Sequence, residues 1–417
     1  MMPPCRTHQP RNRIYPLPLA FLLATFWLIR PNEVIGQYGG GSASETGAGG
    51  GHVPLEITTG VDFGYDDHVL GSTANTNSSG QGSFLSRENL VLTYDRPGAG
   101  TDVRLIGVGR FTQFLNAGTD DKDVSLTLGF THNFSTRLSF RADLYAAYQT
   151  EPDFQSNVGP ENVRAPHFVT NDIFSVTYRW LPRVSTVTSY TFESVKYEQA
   201  TPATTAVGIA QDRFQHTLAE GLHFNLTSRT ILSGEYRFEI IDYDTAPRDA
   251  TIHFALAGLE HHLTEDLSIN VLGGPSFRFF KDDGSTINPY AQVRIGYRGS
   301  NRSLTWITTY GVEQPTQTLA MGNTTFRTGL NGTYQLTPRI HSTAAVYYHH
   351  SDNQGQSGTS SSTAQAQDGL QFTFGLKYTI NKHFALHADY EYTAQNSSGA
   401  TAGYSRNQYF VGITYRY

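Results

Sequence analysis

The last stretch of the chain, Arg406 to Tyr417, reads Arg-Asn-Gln-Tyr-Phe-Val-Gly-Ile-Thr-Tyr-Arg-Tyr. Successive side chains of a β-strand point to opposite faces, so this stretch predicts a strand with one apolar and one mostly polar face. The apolar face consists of Tyr409, Val411, Ile413, Tyr415 and Tyr417. Such a strand suits a wall between lipid and water, but edge strands of soluble sheets alternate in the same way. The stretch alone leaves both interpretations open.

The same ending resembles the terminal strand of bacterial outer-membrane barrels, which is thought to be read by the assembly machinery. That pattern has a glycine three residues before an aromatic residue, and a second aromatic residue two positions further on. Gly412, Tyr415 and Tyr417 occupy these positions, whereas Phe410 stands where the pattern usually has a polar residue. The resemblance therefore implies an assembly signal at Gly412, Tyr415 and Tyr417.

The composition of the 417-residue chain narrows the class of protein. Charged residues make up 16% and the net charge is -6, which argues against a general nucleic-acid-binding protein. The mean hydropathy of -0.37 argues against a bundle of membrane helices. Cys5 is the only cysteine, so neither a disulfide scaffold nor a cysteine-rich zinc site is expected.

The N-terminal region predicts an exported protein. Arginines precede an apolar run at 14–29, which is short for a transmembrane helix but suits a signal peptide. We predict a signal peptide over residues 1–36 with cleavage near Gln37; an uncleaved anchor is the alternative. The Gly/Ser-rich residues 37–52 predict a flexible lead-in, and residues 53–417 the barrel.

From Val53 onward, alternating strands follow one another, separated by connectors of two classes. Tight turns such as 336–339 alternate with longer polar connectors such as 150–169, 315–324 and 351–368. This pattern predicts an all-β, transmembrane, antiparallel up-and-down barrel of about 18 strands (16–18), with short periplasmic turns and longer extracellular loops. The last strand should pair with the first near Leu55, because an open sheet edge would leave unpaired amides in lipid.

Two of the longer connectors carry specific expectations. Residues 150–169 include three prolines and several charges, and we expect this loop to fold back and narrow the lumen. The Ser/Gln/Gly-rich residues 351–368 are expected to stay mobile outside the barrel.

Three stretches carry a resemblance to a known family, the β-barrel porin 2 family of bacterial outer-membrane proteins. They are Gly64-Tyr65-Asp66-Asp67-His68-Val69, the residues from Glu88 to Asp95, and the ending from Asn407 to Tyr417. The resemblance implies an outer-membrane location and a pore-like barrel, with some family members associated with exported polysaccharide. It supplies no catalytic residues and implies no cofactor.

Enzyme and metal chemistry receive little support from the sequence. The densest histidine clusters are His261-His262 and His349-His350, but adjacent residues of a strand point to opposite faces and cannot converge on one metal ion. No motif marks a nucleophile, so an outer-membrane enzyme is a less favoured alternative.

Alternation places many charged side chains on the inward face, where they would line the pore. The predicted pore-lining residues are Glu56, Asp62, Arg104, Arg110, Arg141, Glu235, Arg237, Glu239, Arg278, Arg294, Arg298 and Arg327. Arg278, Arg294, Arg298 and Arg327 should form an arc on strands 11, 12 and 14. Pairing of these charges across strands, with no role in transport, remains the alternative for each of them.

Two functions stay open at this point. One is a water-filled channel for small hydrophilic solutes, related to saccharides or to glycan export. The other is a plugged structural or surface-interaction barrel. The expected partners are outer-membrane lipid and lipopolysaccharide, the outer-membrane assembly machinery and small solutes, with no nucleic acid. The sequence names neither a solute nor an oligomeric state.

Overall fold

The chain forms one closed, antiparallel sheet of 18 strands. The computed structural model describes residues 54–69, 82–150, 166–198, 212–244, 248–281, 284–314, 320–355, 366–397 and 403–417. No helix within these ranges is long and apolar enough to cross a membrane.

The strands follow one another along the chain, each separated from the next by one connector. They are β1 (Leu55–Asp66), β2 (Ser83–Arg96), β3 (Thr101–Phe114), β4 (Asp120–Asn133), β5 (Leu138–Gln149), β6 (His167–Leu181), β7 (Val184–Tyr197), β8 (Arg213–Asn225), β9 (Thr230–Tyr243), β10 (Ala250–His262), β11 (Leu267–Phe280), β12 (Ser285–Arg298), β13 (Arg302–Glu313), β14 (Ala320–Thr337), β15 (Ile340–Gly355), β16 (Ala366–Thr379), β17 (Phe384–Ser397) and β18 (Tyr404–Arg416).

The barrel closes where the first strand meets the last. β1 pairs with β2 on one side and with β18 on the other, and each strand from β2 to β17 pairs with its two neighbours in sequence. Closure satisfies the backbone hydrogen bonds of both strands that would otherwise be edges, which a lipid environment requires. The prediction of about 18 strands, with closure near Leu55, is confirmed.

The connectors distinguish the two ends of the barrel. Eight of them meet at one end, here named the turn end, and contain from two residues (182–183) to four residues (97–100). The other nine meet at the opposite end, the loop end, and include the long connectors 67–82 and 150–166. The start of β1 and the end of β18 both lie at the turn end. Two of the loop-end connectors are nevertheless tight, and each contains a glycine with positive φ, Gly118 at 63° and Gly284 at 61°.

Several strands reach further than the sequence predicts. β14 has 18 residues and β15 has 16, so their ladder extends into 315–324 and 351–368, which were predicted to be loops. The extension includes the pairs Thr324↔Asp352 and Thr325↔Ser351. These residues are polar, so their sequence predicts a loop. A hairpin ladder, however, needs only pairing of the backbone.

Residues 1–53, 151–165 and 356–365 lie outside the described ranges. The signal peptide, the flexible lead-in, the loop expected to narrow the lumen and the loop expected to be mobile therefore remain predictions.

The outward face is largely apolar and exposed. Ile287, Phe63 and Val411 are 71%, 68% and 64% exposed, as lipid-facing side chains should be.

Glu220 is an acidic residue on this outward face. It lies on the same face of β8 as the exposed Leu218 and Leu222, and it is itself exposed. Thr188 on β7 donates a hydrogen bond of 2.5 Å to its carboxylate. This bond offsets part of the cost of placing an acid on the lipid side.

Candidate functional site

The lumen face is the side of the strands opposite the exposed apolar side chains. All of the predicted pore-lining residues occupy inward positions by this alternation. They are Glu56, Asp62, Arg104, Arg110, Arg141, Glu235, Arg237, Glu239, Arg278, Arg294, Arg298 and Arg327. Their burial and their partners differ, and these differences decide which of them can meet a solute.

Asp62 joins three strands at the place where the barrel closes. Its side chain is fully buried, and its carboxylate accepts hydrogen bonds from Arg87 Nε at 2.7 Å and from Asn89 Nδ2 at 2.8 Å on β2. The other carboxylate oxygen lies 2.6 Å from His387 Nε2, which reaches it from β17 across β18. With three partners and no exposure, Asp62 belongs to the wall of the barrel and not to a solute path.

Gly412 provides the space for this network. It is the β18 partner of Asp62 in the strand register. A Cβ at position 412 would overlap the Asp62 carboxylate and lie 2.7 Å from His387 Nε2. Two of the three residues of the predicted assembly signal, Tyr415 and Tyr417, instead point outward and are 37% and 79% exposed. Glycine is therefore required at 412 for packing, independently of any signal.

Further ion pairs follow the same seam between β1 and β18. The buried Asp66 binds Arg406 through Nε at 2.9 Å and Nη2 at 2.5 Å. Near the turn end, Arg416 Nη2 donates to Glu56 at 2.5 Å. Acids of β1 are thus paired with bases near both ends of the seam and midway along it.

Other predicted pore-lining charges are neutralised locally. Arg141 pairs with Asp143, and Arg237 pairs with Glu235, in both cases on the same face of one strand. Arg327 on β14 holds both carboxylate oxygens of Glu313 through its Nε, at 3.0 and 2.8 Å. The alternative of pairing across strands therefore describes Arg327, whereas Arg141 and Arg237 are paired within their own strands.

Arg104 and Arg294 differ from the paired arginines. Neither makes a hydrogen bond or an ion pair with any residue that the structure describes. Arg104 on β3 is exposed, Arg294 on β12 is partly exposed, and Arg298, also on β12, is exposed close to the turn end. The guanidinium groups of Arg104 and Arg294 face the lumen with donors available to water or to a solute.

A cluster of arginines at the loop end was missed by the sequence analysis, apart from Arg278. Arg213, Arg248 and Arg278 are 4%, 2% and 1% exposed, and all three surround Tyr243. The Arg248 guanidinium carbon lies 4.8 Å from the centre of the Tyr243 ring. Burial lowers the pKa of Arg248, and the positive charges of Arg213 and Arg278 act in the same direction. Arg213 begins a strand and Arg248 lies in a connector, so alternation along strands gave no signal for either.

Apolar side chains also pack on the lumen face in the loop-end half. The largest group is formed by Ile241, Tyr243, Ile252, Phe254, Leu256 and Leu272, all of them buried. A second group contains Val69, Leu85, Phe114 and Phe410. The loop-end half of the wall is therefore packed, whereas the turn-end half carries exposed charges such as Arg104. The sequence did not reveal this because an apolar inward face looks like any other buried strand face.

The histidine pairs separate as strand geometry requires. His349 is buried, whereas His350 lies 2.9 Å from Asp368 on the opposite face. His262 contacts Glu260 at 3.0 Å, and His261 contacts Thr230. Among the described residues, no group of three or more histidine, cysteine or acidic side chains could hold a metal ion.

Residues 303–417 match the model of the family described as "Putative beta-barrel porin 2". Together with the closed 18-stranded fold, this match defines a porin-like barrel of the outer membrane. The resemblance predicted from the sequence is thereby confirmed over β13 to β18. No curated protein matches the chain.

Solved bacterial protein structures are similar to this chain only at low identity and low TM-score. Pseudomonas aeruginosa OccK2 (OpdF), solved in complex with glucuronate, is 10% identical with a TM-score of 0.44, covering 87% of this chain and 98% of its own. Acinetobacter baumannii OccAB4 is 11% identical with a TM-score of 0.42, covering 88% of this chain and 99% of its own. Pseudomonas aeruginosa OccK11 (OpdR) is 11% identical with a TM-score of 0.39, covering 87% and 95%.

Proposed function

We propose that the barrel is a water-filled diffusion channel for small hydrophilic solutes. The observation that carries this proposal is the pair of lumen arginines Arg104 and Arg294, which have no hydrogen-bond or ion-pair partner among the described residues. A guanidinium group in a dry, packed interior would need an acid or a carbonyl group to offset its desolvation. Exposure of Arg104 inside the barrel supports a hydrated lumen in the turn-end half, and 16- to 18-stranded barrels are wide enough for an aqueous channel.

The chemistry of the lumen favours polar solutes with hydroxyl or carboxylate groups, such as saccharides. Arginine presents a planar fork of donors that suits both groups. The predicted arc of arginines has fewer members exposed to the lumen than the sequence suggested. Arg327 is held by Glu313, and Arg278 is buried. Arg294 and Arg298 are its members with exposure to the lumen, and Arg104 is a further exposed arginine on β3.

Purified protein, refolded in detergent and inserted into a planar lipid bilayer, should produce discrete, ohmic current steps. A hydrated lumen carries ions through the barrel without an applied ligand, so the steps should appear in KCl alone. A preparation that is folded by its heat-modifiable migration in gels but passes no current would contradict the channel.

Replacing Arg104 and Arg294 together with glutamine should shift the reversal potential in a KCl gradient towards cation preference. Neither guanidinium group is paired with an acid in the described part of the chain, so their charge acts on passing ions. Salt should weaken the shift, because charges in water are screened over roughly 8–10 Å at physiological ionic strength.

The matched control is Arg141→Gln, an inward arginine that is neutralised by Asp143 on the same strand. Arg141→Gln leaves the Asp143 carboxylate without its partner. The shift towards cation preference in this variant should be no larger than that one carboxylate produces. Unchanged selectivity in the double variant, with conductance intact, would place Arg104 and Arg294 outside the permeation path.

A plugged structural or surface-interaction barrel is the second candidate, and the packed loop-end half favours it. Buried Phe254 and Leu256 show that part of the inward face is dry. Such a barrel would pass no current, so the bilayer experiment separates the two candidates directly.

The proposal also covers export, partners and chemistry. Residues 1–36 would be removed as a signal peptide, and the assembly machinery would insert the barrel into lipid and lipopolysaccharide. We assign the protein no enzymatic role, since the function proposed is passage of solutes.

A further inference from the structure

We propose that the turn end of the barrel binds anionic phospholipid headgroups through Arg137, Arg183 and Arg229. These arginines lie in three consecutive turn-end connectors, between β4 and β5, β6 and β7, and β8 and β9, and all three are exposed. The short turns of outer-membrane barrels face the periplasm, so this rim lies at the phospholipid headgroups of the periplasmic leaflet. Successive turns are two strands apart, which spaces the arginines by about 10 Å along the rim.

The positive charge of these three turns is not offset by nearby acids. The three connectors, and the four residues on either side of each, contain neither aspartate nor glutamate. None of the three arginines forms an ion pair within the described ranges. Residues 1–53, which join the barrel at this end, contain two acids and four arginines, so they add positive charge of their own. The rim should therefore attract anions.

Exposed apolar side chains accompany the arginines and indicate that the occupant is a lipid. Phe134, Leu181 and Leu226 precede the three arginines by two or three positions and are 63%, 60% and 49% exposed. Phe134 and Leu226 continue the outward, lipid-facing alternation of β4 and β8. At a membrane interface, the apolar side chain enters the acyl region while a neighbouring guanidinium group reaches the phosphate. A soluble acidic partner would not cover the apolar side chains on the lipid side.

Hydrogen bonds in the turns position the arginines. The Arg137 N–H donates to Ser135 Oγ at 3.1 Å, and the Arg229 N–H donates to Thr227 Oγ1 at 3.1 Å, so two turns share one conformation. The fork of donors on each guanidinium group can hold two phosphate oxygens at once. A zwitterionic headgroup also presents a phosphate, but its own cation repels the arginines. The rim should therefore prefer lipids with net negative charge.

Trp180 is a reporter at this rim. It is 57% exposed and lies on the outward face of β6, where its indole N–H donates to Thr186 Oγ1 at 3.1 Å. The N–H of the preceding residue, Arg179, donates to the carbonyl oxygen of Arg137 at 2.8 Å, and Arg183 follows Trp180 by three positions. Trp180 therefore lies between the turns that carry Arg137 and Arg183.

Lipid preference can be measured by quenching of Trp180 fluorescence in bilayers that contain dibrominated phosphatidylglycerol or dibrominated phosphatidylcholine. The refolded full-length chain carries Trp27→Phe and Trp306→Phe, which leaves Trp180 as the emitting tryptophan. Phosphatidylglycerol should associate about fivefold more strongly, as expected for one basic residue near an anionic lipid. This preference should fall towards onefold in about 1 M KCl, where the screening length is about 3 Å. The proposal does not require the lumen to conduct.

Replacing Arg137 and Arg183 together with glutamine should reduce the preference to less than about twofold. The matched control replaces Arg339 and Lys382 with glutamine, because these residues also lie exposed in two successive turns, eight strands further around the barrel. The control should keep the preference of the parent chain, and heat-modifiable migration verifies that each variant is folded. Equal quenching by the two lipids in the parent chain, a preference that survives about 1 M KCl, or equal losses in the two double variants would overturn the proposal.

Discussion

Deletion of Tyr415 to Tyr417 should abolish most insertion of the barrel into the outer membrane. Tyr415 pairs with Thr59 of β1 and with Phe384 of β17, and the Tyr417 N–H donates to Ile57 O at 2.8 Å. The deletion also removes Arg416, whose side chain binds Glu56 and whose N–H donates to His383 O at 2.7 Å. Each unpaired backbone group in lipid costs several kcal/mol, so the turn end of the closing seam should open.

The measurement is the amount of heat-modifiable protein in outer-membrane fractions. Tyr417→Ala is the matched variant: it removes one exposed aromatic side chain but keeps the backbone hydrogen bond to Ile57. It should reduce the amount only mildly. Unchanged outer-membrane levels of the deleted protein would contradict both the structural role of these residues and the assembly signal.

The fold was predictable because its signals are local. Alternation within each strand and the length of each connector gave the strand number, the closure and the two ends. The lengths of β14 and β15 were underestimated because their extensions, such as Thr324 and Asp352, are polar. Backbone pairing between neighbouring strands has no requirement for apolar side chains, so composition could not show it.

The site was predictable only to the level of which side chains face inward. Whether an inward charge is paired depends on the conformation of its side chain as well as on the strand register. Arg104 lies opposite Asp95 in the register without forming an ion pair with it, whereas Arg327 binds Glu313 although the register places Glu313 opposite Asn323. The loop-end cluster needed three elements distant in sequence to meet at Tyr243. Period-2 alternation carries no information about such convergence.

Asp62→Ala should destabilise the folded barrel by about 3–5 kcal/mol, the cost of leaving buried charged partners without their counter-charge. The side chain is fully buried, and its loss would strand the Arg87 guanidinium, which also stacks on Phe410 at 3.8 Å. The His387 contact that crosses β18 would be lost as well. Because these contacts span the closing seam, the variant should unfold at lower urea concentration in detergent and lose its heat-modifiable band at lower temperature.

Asp143→Ala is the matched control, because Asp143 also faces the lumen but, among the described residues, pairs with Arg141 of its own strand and is 31% exposed. Its loss should cost about 0–1 kcal/mol, as for other solvated ion pairs. A double-mutant cycle between Asp62→Ala and Arg87→Ala should give a coupling energy larger than the cycle between Asp143→Ala and Arg141→Ala. If both cycles give the same small coupling, the Asp62 network is no more than a solvated pair and contributes little to closure of the barrel.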